Sequence, residues 1–257
     1  MRPRLKCAHS LRPQRIRSLA LASLGGGFEP GAPGGYASNL LWLAADRNVT
    51  TSGADLLSWV DPANSSNIAS RSAVGAECTL EMNVRNGLPA VRLDNRYLNL
   101  SCPALSTWSG SGHAFFVAAG LPAADYLYFL HSAANACVYV SNRFYWDDGS
   151  QLYGGSLGWG YGDPLFDSTY RSAWAIWEMK WDAGPPSYYR NGGGPMSTGG
   201  VNLPLSNSNF NRSGGGPDLM GGLDGDYYLG EMALFNAPVT GSDRSDILGY
   251  LTDKWDL

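Results

Sequence analysis

The chain has 257 residues, of which 16% are charged, and Gly (33) and Pro (15) together make up nearly a fifth of it. Typical domains carry about 25% charged residues, so this low-charge, turn-rich and aromatic-rich composition fits an all-β module. No stretch approaches the roughly 20 apolar residues that a membrane-spanning helix needs, which excludes a predicted membrane span.

The N-terminal residues 1–24 are strongly basic, and we predict that they form an arm. No acidic residue precedes Glu29, whereas the rest of the chain has 12 basic and 22 acidic residues and a net charge of about −10. We expect the arm to anchor the protein to a neighbouring chain, with a solvated tail as the alternative. No aromatic residue interleaves the basic ones, which argues against nucleic acid as a partner. The basic residues of the arm are Arg2, Arg4, Lys6, Arg12, Arg15 and Arg17.

A candidate export signal and a linker follow the basic residues. Ala20-Leu21-Ala22 resembles a signal-peptide cleavage site, but the apolar core before it is shorter than the usual stretch of roughly 7–15 residues. Gly25–Gly35 has the Gly- and Pro-rich composition of a linker. We therefore predict a folded domain over residues 36–257.

The four cysteines are too scattered for a zinc site and too few for a disulfide scaffold. They are Cys7, Cys78, Cys102 and Cys137. Cys78 and Cys102 could pair across neighbouring strands. Buried free thiols are the alternative, and we favour them.

Short apolar or alternating runs bounded by turn residues predict strands along the whole domain. In chain order they are Leu40–Asp46, Gly53–Asp61, Asn86–Asp94, Tyr97–Leu98, Gly112–Ala119, Tyr126–Leu130, Cys137–Val140, Ser172–Trp181, Ser187–Gly192 and Tyr227–Asn236. Trp42 and Trp59 are predicted core residues. His113 stands at the start of the most apolar run, where an isolated histidine is expected to be structural. Trp174 and Glu178 lie on one face of their strand because their spacing is even.

A short helix is predicted after the last strand. Pro238 ends the strand, and Thr240 with Asp243 forms a weak capping box. The apolar residues that follow fall on one helix face, and they are Ile247, Leu248, Leu251 and Trp255. Such a short helix cannot stand alone in water, so we expect it to dock on the preceding strand.

Several of these segments resemble, in order, elements of the concanavalin A-like (laminin G-like) jelly-roll family. They are Leu40–Asp46, Gly53–Asp61, Asn86–Leu98, Ser187–Gly192 and Gly230–Trp255. The resemblance implies an all-β, two-sheet antiparallel jelly-roll sandwich with a short C-terminal helix and an extended N-terminal arm. Such modules are common in bacteriophage virion proteins and in secreted bacterial proteins.

The middle of the domain, Tyr126–Tyr170, carries the candidate ligand-binding residues. It mixes aromatic residues, glycines and acids, as a loop that contacts sugars or another protein would. Flat rings stack on sugar faces, and carboxylates accept hydrogen bonds from hydroxyl groups. Ordinary packing of a Gly-rich hairpin is the alternative. The candidates are Tyr145, Trp146, Asp147, Asp148, Trp159 and Tyr161.

The sequence lacks a recognisable catalytic set. Glycosidases of the resembled fold commonly carry Glu-x-Asp-x-x-Glu on one strand, with the two reacting carboxyl groups about 5–5.5 Å apart for retention. In Glu178-Met-Lys-Trp-Asp182 a lysine stands at the middle acidic position. No credible Ser-His-Asp set or His-rich metal pattern exists. We therefore predict that the chain is not an enzyme and needs no cofactor.

Calcium is the one metal that the sequence suggests. Many lectin-type jelly rolls bind it through loop Asp and Asn oxygens. Asp224 and Asp226 have suitable spacing in a predicted turn, although a plain Asp-Gly-Asp turn is the alternative.

Together these features predict a non-enzymatic bacteriophage virion structural protein, either a capsid decoration or a tail-fibre component. Its expected partners are other virion proteins through the arm, further copies of itself in a homo-oligomer, and host surface glycans. A secreted bacterial carbohydrate-binding module is the alternative, and a glycoside hydrolase is the third hypothesis.

Overall fold

The computed structural model describes residues 29–71, 78–94, 96–107, 111–121, 127–131, 136–140, 144–148, 152–156, 172–182, 186–198, 219–221 and 226–257. The side chains between 131 and 156 lie outside the described part, although the strands that carry them are described. The basic residues of the arm also lie outside it, so the role of the arm stays a prediction.

The described residues form 17 strands, two short 3-10 helices and one α-helix. The strands are β1 Asn39–Ala44, β2 Val49–Ser52, β3 Asp55–Val60, β4 Ile68–Arg71, β5 Thr79–Arg85, β6 Leu88–Asp94, β7 Tyr97–Ser101, β8 Ser111–Gly120, β9 Leu127–His131, β10 Ala136–Val140, β11 Phe144–Asp148, β12 Leu152–Ser156, β13 Ala175–Asp182, β14 Ser187–Arg190, β15 Ser197–Thr198, β16 Leu219–Gly221 and β17 Asp226–Phe235. The helices are Pro33–Gly35, Pro103–Thr107 and α1, Gly241–Trp255.

The strand pairings are antiparallel and divide into two sheets. Sheet A begins with the order β14-β13-β8-β17. On its other edge β17 pairs with two strands, with β6 along its first half and with β1 along its second half. β5 pairs with the outer edge of β6. Sheet B runs β2-β3-β4-β7-β16-β9-β10-β11-β12-β15. A single pairing of Asp55 with Thr79 joins the two sheets. The predicted antiparallel sandwich with a C-terminal helix is confirmed.

The main core lies between the two sheets. It combines buried side chains of sheet A, such as Phe116 and Trp177, with side chains of sheet B, such as Trp59 and Phe129. The rings of Phe116 and Phe129 stack with centroids 4.2 Å apart. Burial of this apolar area is the dominant favourable contribution to folding.

A second core lies on the other face of sheet A, under α1. Every second residue of β8 and β13 faces this side, because strand side chains alternate between faces. β17 alternates in the same way on either side of an irregularity between Leu229 and Glu231. The helix contributes Ile247, Tyr250, Leu251 and Trp255, which pack on Trp42 and other sheet residues. The predicted docking of the helix and the burial of Trp42 are therefore confirmed.

The N-terminal end of α1 lacks the predicted capping box, and the C-terminal end is held by Arg85 and Asn86. Thr240 is the N-cap residue but makes no side-chain cap hydrogen bond, so the predicted capping box is wrong. At the other end, Arg85 Nε donates to the carbonyl oxygen of Trp255 at 2.9 Å, and Asn86 donates to that of Lys254 at 2.8 Å. These donors satisfy carbonyl groups that a helix C-terminus leaves without intrahelical partners.

The described part of the predicted linker packs on the domain. Ala32 is 1% exposed, and a Cβ on Gly31 would lie 2.4 Å from the carbonyl oxygen of Asp246 in α1. The packed structure therefore begins at least five residues before Tyr36, the predicted start of the domain.

Cys78 and Cys102 are both buried and free. The alternative of buried thiols is thus confirmed for this pair, while Cys7 and the side chain of Cys137 lie outside the described residues.

Candidate functional site

Three polar side chains form a buried cluster under α1. His113 and Glu178 are both 0% exposed, and His113 Nε2 lies 2.7 Å from Glu178 Oε1. Arg244 donates from Nε and Nη2 to the two oxygens of the same carboxylate, at 2.6 and 2.7 Å. The backbone N–H of Val239 donates to His113 Nδ1 at 3.1 Å, so the proton of the neutral ring lies on Nε2 and points at Glu178.

This cluster fastens the helix to sheet A. Burial by itself raises the pKa of Glu178, but hydrogen bonds from His113 and Arg244 outweigh it and lower the pKa overall. The pKa of His113 is lowered, mainly because burial disfavours the charged ring. Both carboxylate oxygens of Glu178 are occupied and closed off from solvent, and His113 has the structural contacts expected from the sequence.

A second buried carboxylate, that of Glu231, holds the last turn of α1. Its Oε1 accepts from the indole N–H of Trp42 at 2.7 Å, and its Oε2 accepts from that of Trp255 at 3.0 Å. Lys254 Nζ lies 2.9 Å from the same Oε2 and donates to Asp46 at 2.8 Å. Glu231 is therefore satisfied and structural, as a buried carboxylate must be.

Beyond the C-terminal end of α1, the helix-side face of sheet A carries a partly exposed group that we call the aromatic patch. It consists of Trp174, Tyr228, Arg92, Glu81 and Asp226. Arg92 pairs with Tyr228 across β6 and β17, and both side chains point away from the core because their strand neighbours are core residues.

Contacts link the patch continuously. The rings of Trp255 and Trp174 stack with centroids 5.4 Å apart, and those of Trp174 and Tyr228 stack with centroids 6.2 Å apart. The hydroxyl of Tyr228 donates to Glu81 Oε2 at 2.7 Å. Arg92 donates from Nε and Nη2 to the two oxygens of Asp226, at 2.9 and 2.8 Å.

Two groups of the patch, Tyr228 and Arg92, have raised pKa values. The pKa of Tyr228 is raised to about 12 by burial and by its hydrogen bond to Glu81, so the hydroxyl stays neutral. The pKa of Arg92 is also raised, chiefly by the hydrogen bond to Asp226, so the guanidinium stays charged. The patch thus combines neutral aromatic surface with carboxylates that accept hydrogen bonds.

The sequence does not single out this patch. Alternation places Arg92 and Trp174, the residue before β13, on outward strand faces, but they are 82 residues apart in the chain. Only the pairing of β13 with β8, β8 with β17 and β17 with β6 brings them to the same face. Alternation on β13 and β6 is the available signal, and it does not indicate which strands are neighbours.

The predicted ligand-binding residues lie elsewhere. Tyr145, Trp146, Asp147 and Asp148 belong to β11, between β10 and β12 in sheet B, and their side chains lie outside the described part. Trp159 and Tyr161 also lie outside it. These six residues remain predictions.

The calcium hypothesis involves one described residue. Asp226 is the first residue of β17, and both its carboxylate oxygens accept hydrogen bonds from Arg92. Asp224 lies outside the described residues. The residues that are described contain no group of three or more His, Cys, Asp or Glu side chains placed to hold a metal ion. The calcium pair stays a prediction.

Among the residues that the structure describes, no helix has the length and apolar character needed to cross a membrane.

Comparison with known proteins gives structural likeness alone. No protein-family model and no curated protein matches the sequence. Among solved structures, the chain is similar to a structure of botulinum neurotoxin type C, whose cell entry depends on interaction with two ganglioside molecules. The match has 13% identity and a TM-score of 0.54, and it covers 83% of this chain and 51% of the other.

Two further likenesses point to the same fold. The receptor-binding domain of a botulinum neurotoxin of mosaic serotype C/D matches at 12% identity and a TM-score of 0.51, over 83% of this chain and 51% of that one. Trypanosoma rangeli sialidase matches at 11% identity and a TM-score of 0.50, over 85% of this chain and 33% of the other. The chain thus spans about a third of the sialidase and half of the neurotoxin structures.

The sialidase match corrects one prediction. We predicted from the absence of a carboxylate motif that the chain is not an enzyme, and this prediction is wrong because the structures that share its fold include sialidases, which are enzymes. At 11% identity the likeness shows the fold alone and assigns no catalytic residue to this chain. The chain has a β-sandwich, lectin-like fold.

Proposed function

We propose that this chain is a lectin-like module that binds glycans through the aromatic patch. The observation that carries the proposal is the Trp174–Tyr228 stack bordered by carboxylates, on a sheet face that α1 leaves uncovered. Binding sites for small ligands are typically built from aromatic surface with a few placed polar groups.

Each part of the patch matches a part of a sugar. The C–H faces of a pyranose are apolar and pack on aromatic rings, which retain a large contact area at low entropic cost. Sugar hydroxyls donate hydrogen bonds, and the carboxylates of Glu81 and Asp226 have free acceptor capacity beyond their present partners. Because Arg92 holds Asp226 and both Arg92 and Tyr228 contact Glu81, these two acceptors are pre-organised.

The comparisons support the same class of ligand. The neurotoxin protein interacts with gangliosides, and a sialidase is named for its action on a sugar. Both share the sandwich with this chain, so glycan recognition is compatible with the architecture. The comparisons do not locate a binding site on this chain, and the proposed position depends on the contacts within the aromatic patch.

The proposal is tested by a glycan-array screen of the full chain and of two ring variants. Trp174→Ala removes the ring between Trp255 and Tyr228, and Tyr228→Phe keeps the ring but loses the hydroxyl that Glu81 accepts from. We expect Trp174→Ala to abolish glycan binding and Tyr228→Phe to weaken it. Tyr189→Ala is the control, because Tyr189 is a partly buried aromatic residue at the other edge of sheet A, stacked with Arg244.

Circular dichroism at the assay temperature must show all variants folded. The proposal fails if the folded Trp174→Ala protein binds glycans as the parent does, or if Tyr189→Ala loses binding equally. In the first case, the predicted contact residues of β11 become the next positions to substitute.

We further propose that the module serves on a bacteriophage particle, anchored by its basic arm and assembled as a homo-oligomer. Support comes from the sequence resemblance and from the charge asymmetry between residues 1–24 and the rest of the chain. None of the three matched proteins described above is a virion component.

Light scattering of the full chain and of a truncation that begins at Glu29 tests the arm. Glu29 is the appropriate start because Ala32 and Pro33 are buried and removing them would damage the domain. We expect only the full chain to oligomerise or to bind particles. Identical monomers in both cases would favour the secreted carbohydrate-binding alternative.

A further inference from the structure

We infer that the aromatic patch selects uncharged glycans and discriminates against sialylated ones. This inference rests on the proposed glycan-binding function of the same patch and adds the chemical class of its ligand. It follows from the balance of charges around a single guanidinium.

Three carboxylates surround the guanidinium of Arg92. Asp226 takes a bidentate pair of hydrogen bonds at 2.9 and 2.8 Å. Glu81 Oε1 lies 3.5 Å from Nη1, and Asp94 Oδ2 lies 3.5 Å from Nη2. Nε and Nη2 of Arg92 therefore donate to Asp226, and the positive charge of the guanidinium lies among carboxylates of the protein itself.

The charges do not balance. Within the patch, one guanidinium and the two carboxylates of Glu81 and Asp226 give a formal charge of −1. Arg85 on β5 pairs with Asp256 at the end of α1, so that pair is neutral as a unit and does not offset the surplus. A sialic acid carboxylate brought to this surface would meet net negative charge from Glu81 and Asp94, which are 36% and 52% exposed, so the repulsion is strongest at low salt.

An uncharged sugar avoids this repulsion and matches the patch better. Its hydroxyl groups donate to Glu81, Asp94 and Asp226, and its apolar face packs on Trp174 and Tyr228. Sites built for anions instead present a surplus of arginine forks, the opposite of this arrangement. A neutral hexose or N-acetylhexosamine terminus is the class of ligand that the patch fits.

The test compares binding to fetuin with binding to fetuin from which sialic acid has been removed enzymatically. Surface plasmon resonance at low and at moderate salt measures both affinities for the full chain. We expect the desialylated glycoprotein to bind about ten-fold more tightly or better, and the difference to shrink as salt rises.

A charge variant tests the cause. Glu81→Gln with Asp94→Asn removes two negative charges, keeps the Arg92–Asp226 pair and leaves an oxygen at position 81 to accept from Tyr228. We expect this double variant to lose most of the discrimination between the two forms. Gly249→Ala, in an exposed position of α1, is the neutral control and should preserve it.

The outcomes separate the two proposals. If Trp174→Ala abolishes binding but both forms of fetuin bind equally, the patch binds glycans and the inference on charge is wrong. If sialylated fetuin binds more tightly, it is also wrong. If neither form binds, or if Trp174→Ala changes nothing, the proposed function of the patch fails and the inference fails with it.

Discussion

The indole ring of Trp255 lies directly on the backbone of Gly230. A Cβ built on Gly230 would come 2.3 Å from the ring atom Cη2, closer than any real side-chain contact. Gly230 is also the point where the register of β17 against β8 shifts, between Leu229 and Glu231. The helix therefore docks at an irregularity of the strand, where the absence of a side chain makes room for the largest residue of α1.

Gly230→Ala should destabilise the domain by about 1–3 kcal/mol, because the added methyl group forces Trp255 or the strand to move. Urea unfolding followed by tryptophan fluorescence measures the loss. Gly249→Ala is the matched control: nothing lies within 4 Å of the position that its added methyl group would take, and a helical alanine should stabilise by up to about 1 kcal/mol. Equal stability of the Gly230→Ala and parent proteins would contradict the packing described for Trp255.

His113 predicts how stability depends on pH. Its pKa is lowered in the folded protein, first because burial disfavours the charged ring, although Glu178 acts in the opposite direction. The unfolded chain takes up a proton near the usual value of 6.5, whereas the folded chain does not. The free energy of unfolding should therefore be at its plateau above pH 6.5 and fall as the pH drops below it, by up to about 1.4 kcal/mol per pH unit.

Glu178 adds to the same trend at lower pH. Its pKa lies below the usual 4.5, so its stabilisation is present above that value and lost as the pH falls through the folded-state pKa. His113→Gln separates the two residues, since an amide can donate to Glu178 and accept from Val239 without titrating. In this variant the denaturant midpoint should change less with pH between pH 5 and 7. An unchanged slope would mean that another group, such as His9 or His131, controls it.

The architecture was predictable because strand alternation and helix spacing are local. The faces of β13 followed from residue parity, and the helix face of Ile247 and Trp255 followed from the 3.6-residue period. Both features were found where they were predicted. The buried Trp42 and Trp59 followed from the same apolar runs.

The polar contacts were not predictable, because they depend on which strands become neighbours. Glu178 looked like half of a catalytic motif in the sequence, but in the structure it lies under α1 and binds Arg244. Arg92 and Asp226 are 134 residues apart and meet only when β6 pairs with β17. A sequence pattern predicts on which face of its strand a side chain lies. Which strands become neighbours is decided by the topology of the whole sheet.

Lys254 and Glu231 should show strong energetic coupling. Lys254→Met removes the cation beside a carboxylate that is 1% exposed, so we expect a loss of about 3–5 kcal/mol. Glu231→Gln in the same background removes the buried charge and should recover part of that loss. A double-mutant cycle measured by urea unfolding should give a coupling energy of about 1–3 kcal/mol. If the two substitutions have additive effects on the free energy of unfolding, the pair is not coupled. Lys254 then acts through Asp46, and Glu231 acts through the two indole groups.

The buried thiols should be chemically inert until the domain unfolds. Burial raises the pKa of Cys78 to about 12 and that of Cys102 to about 11, although a nearby arginine and backbone hydrogen bonds, respectively, act in the opposite direction. Because the thiolate is the reactive form, neither residue should react with iodoacetamide at pH 8 in the native protein, and both should react in urea. Peptide mapping by mass spectrometry assigns the label to each cysteine. Rapid native labelling of Cys78 would show that the edge of sheet A at β5 opens far more easily than its buried contacts imply, while labelling of Cys7 or Cys137 leaves the prediction intact.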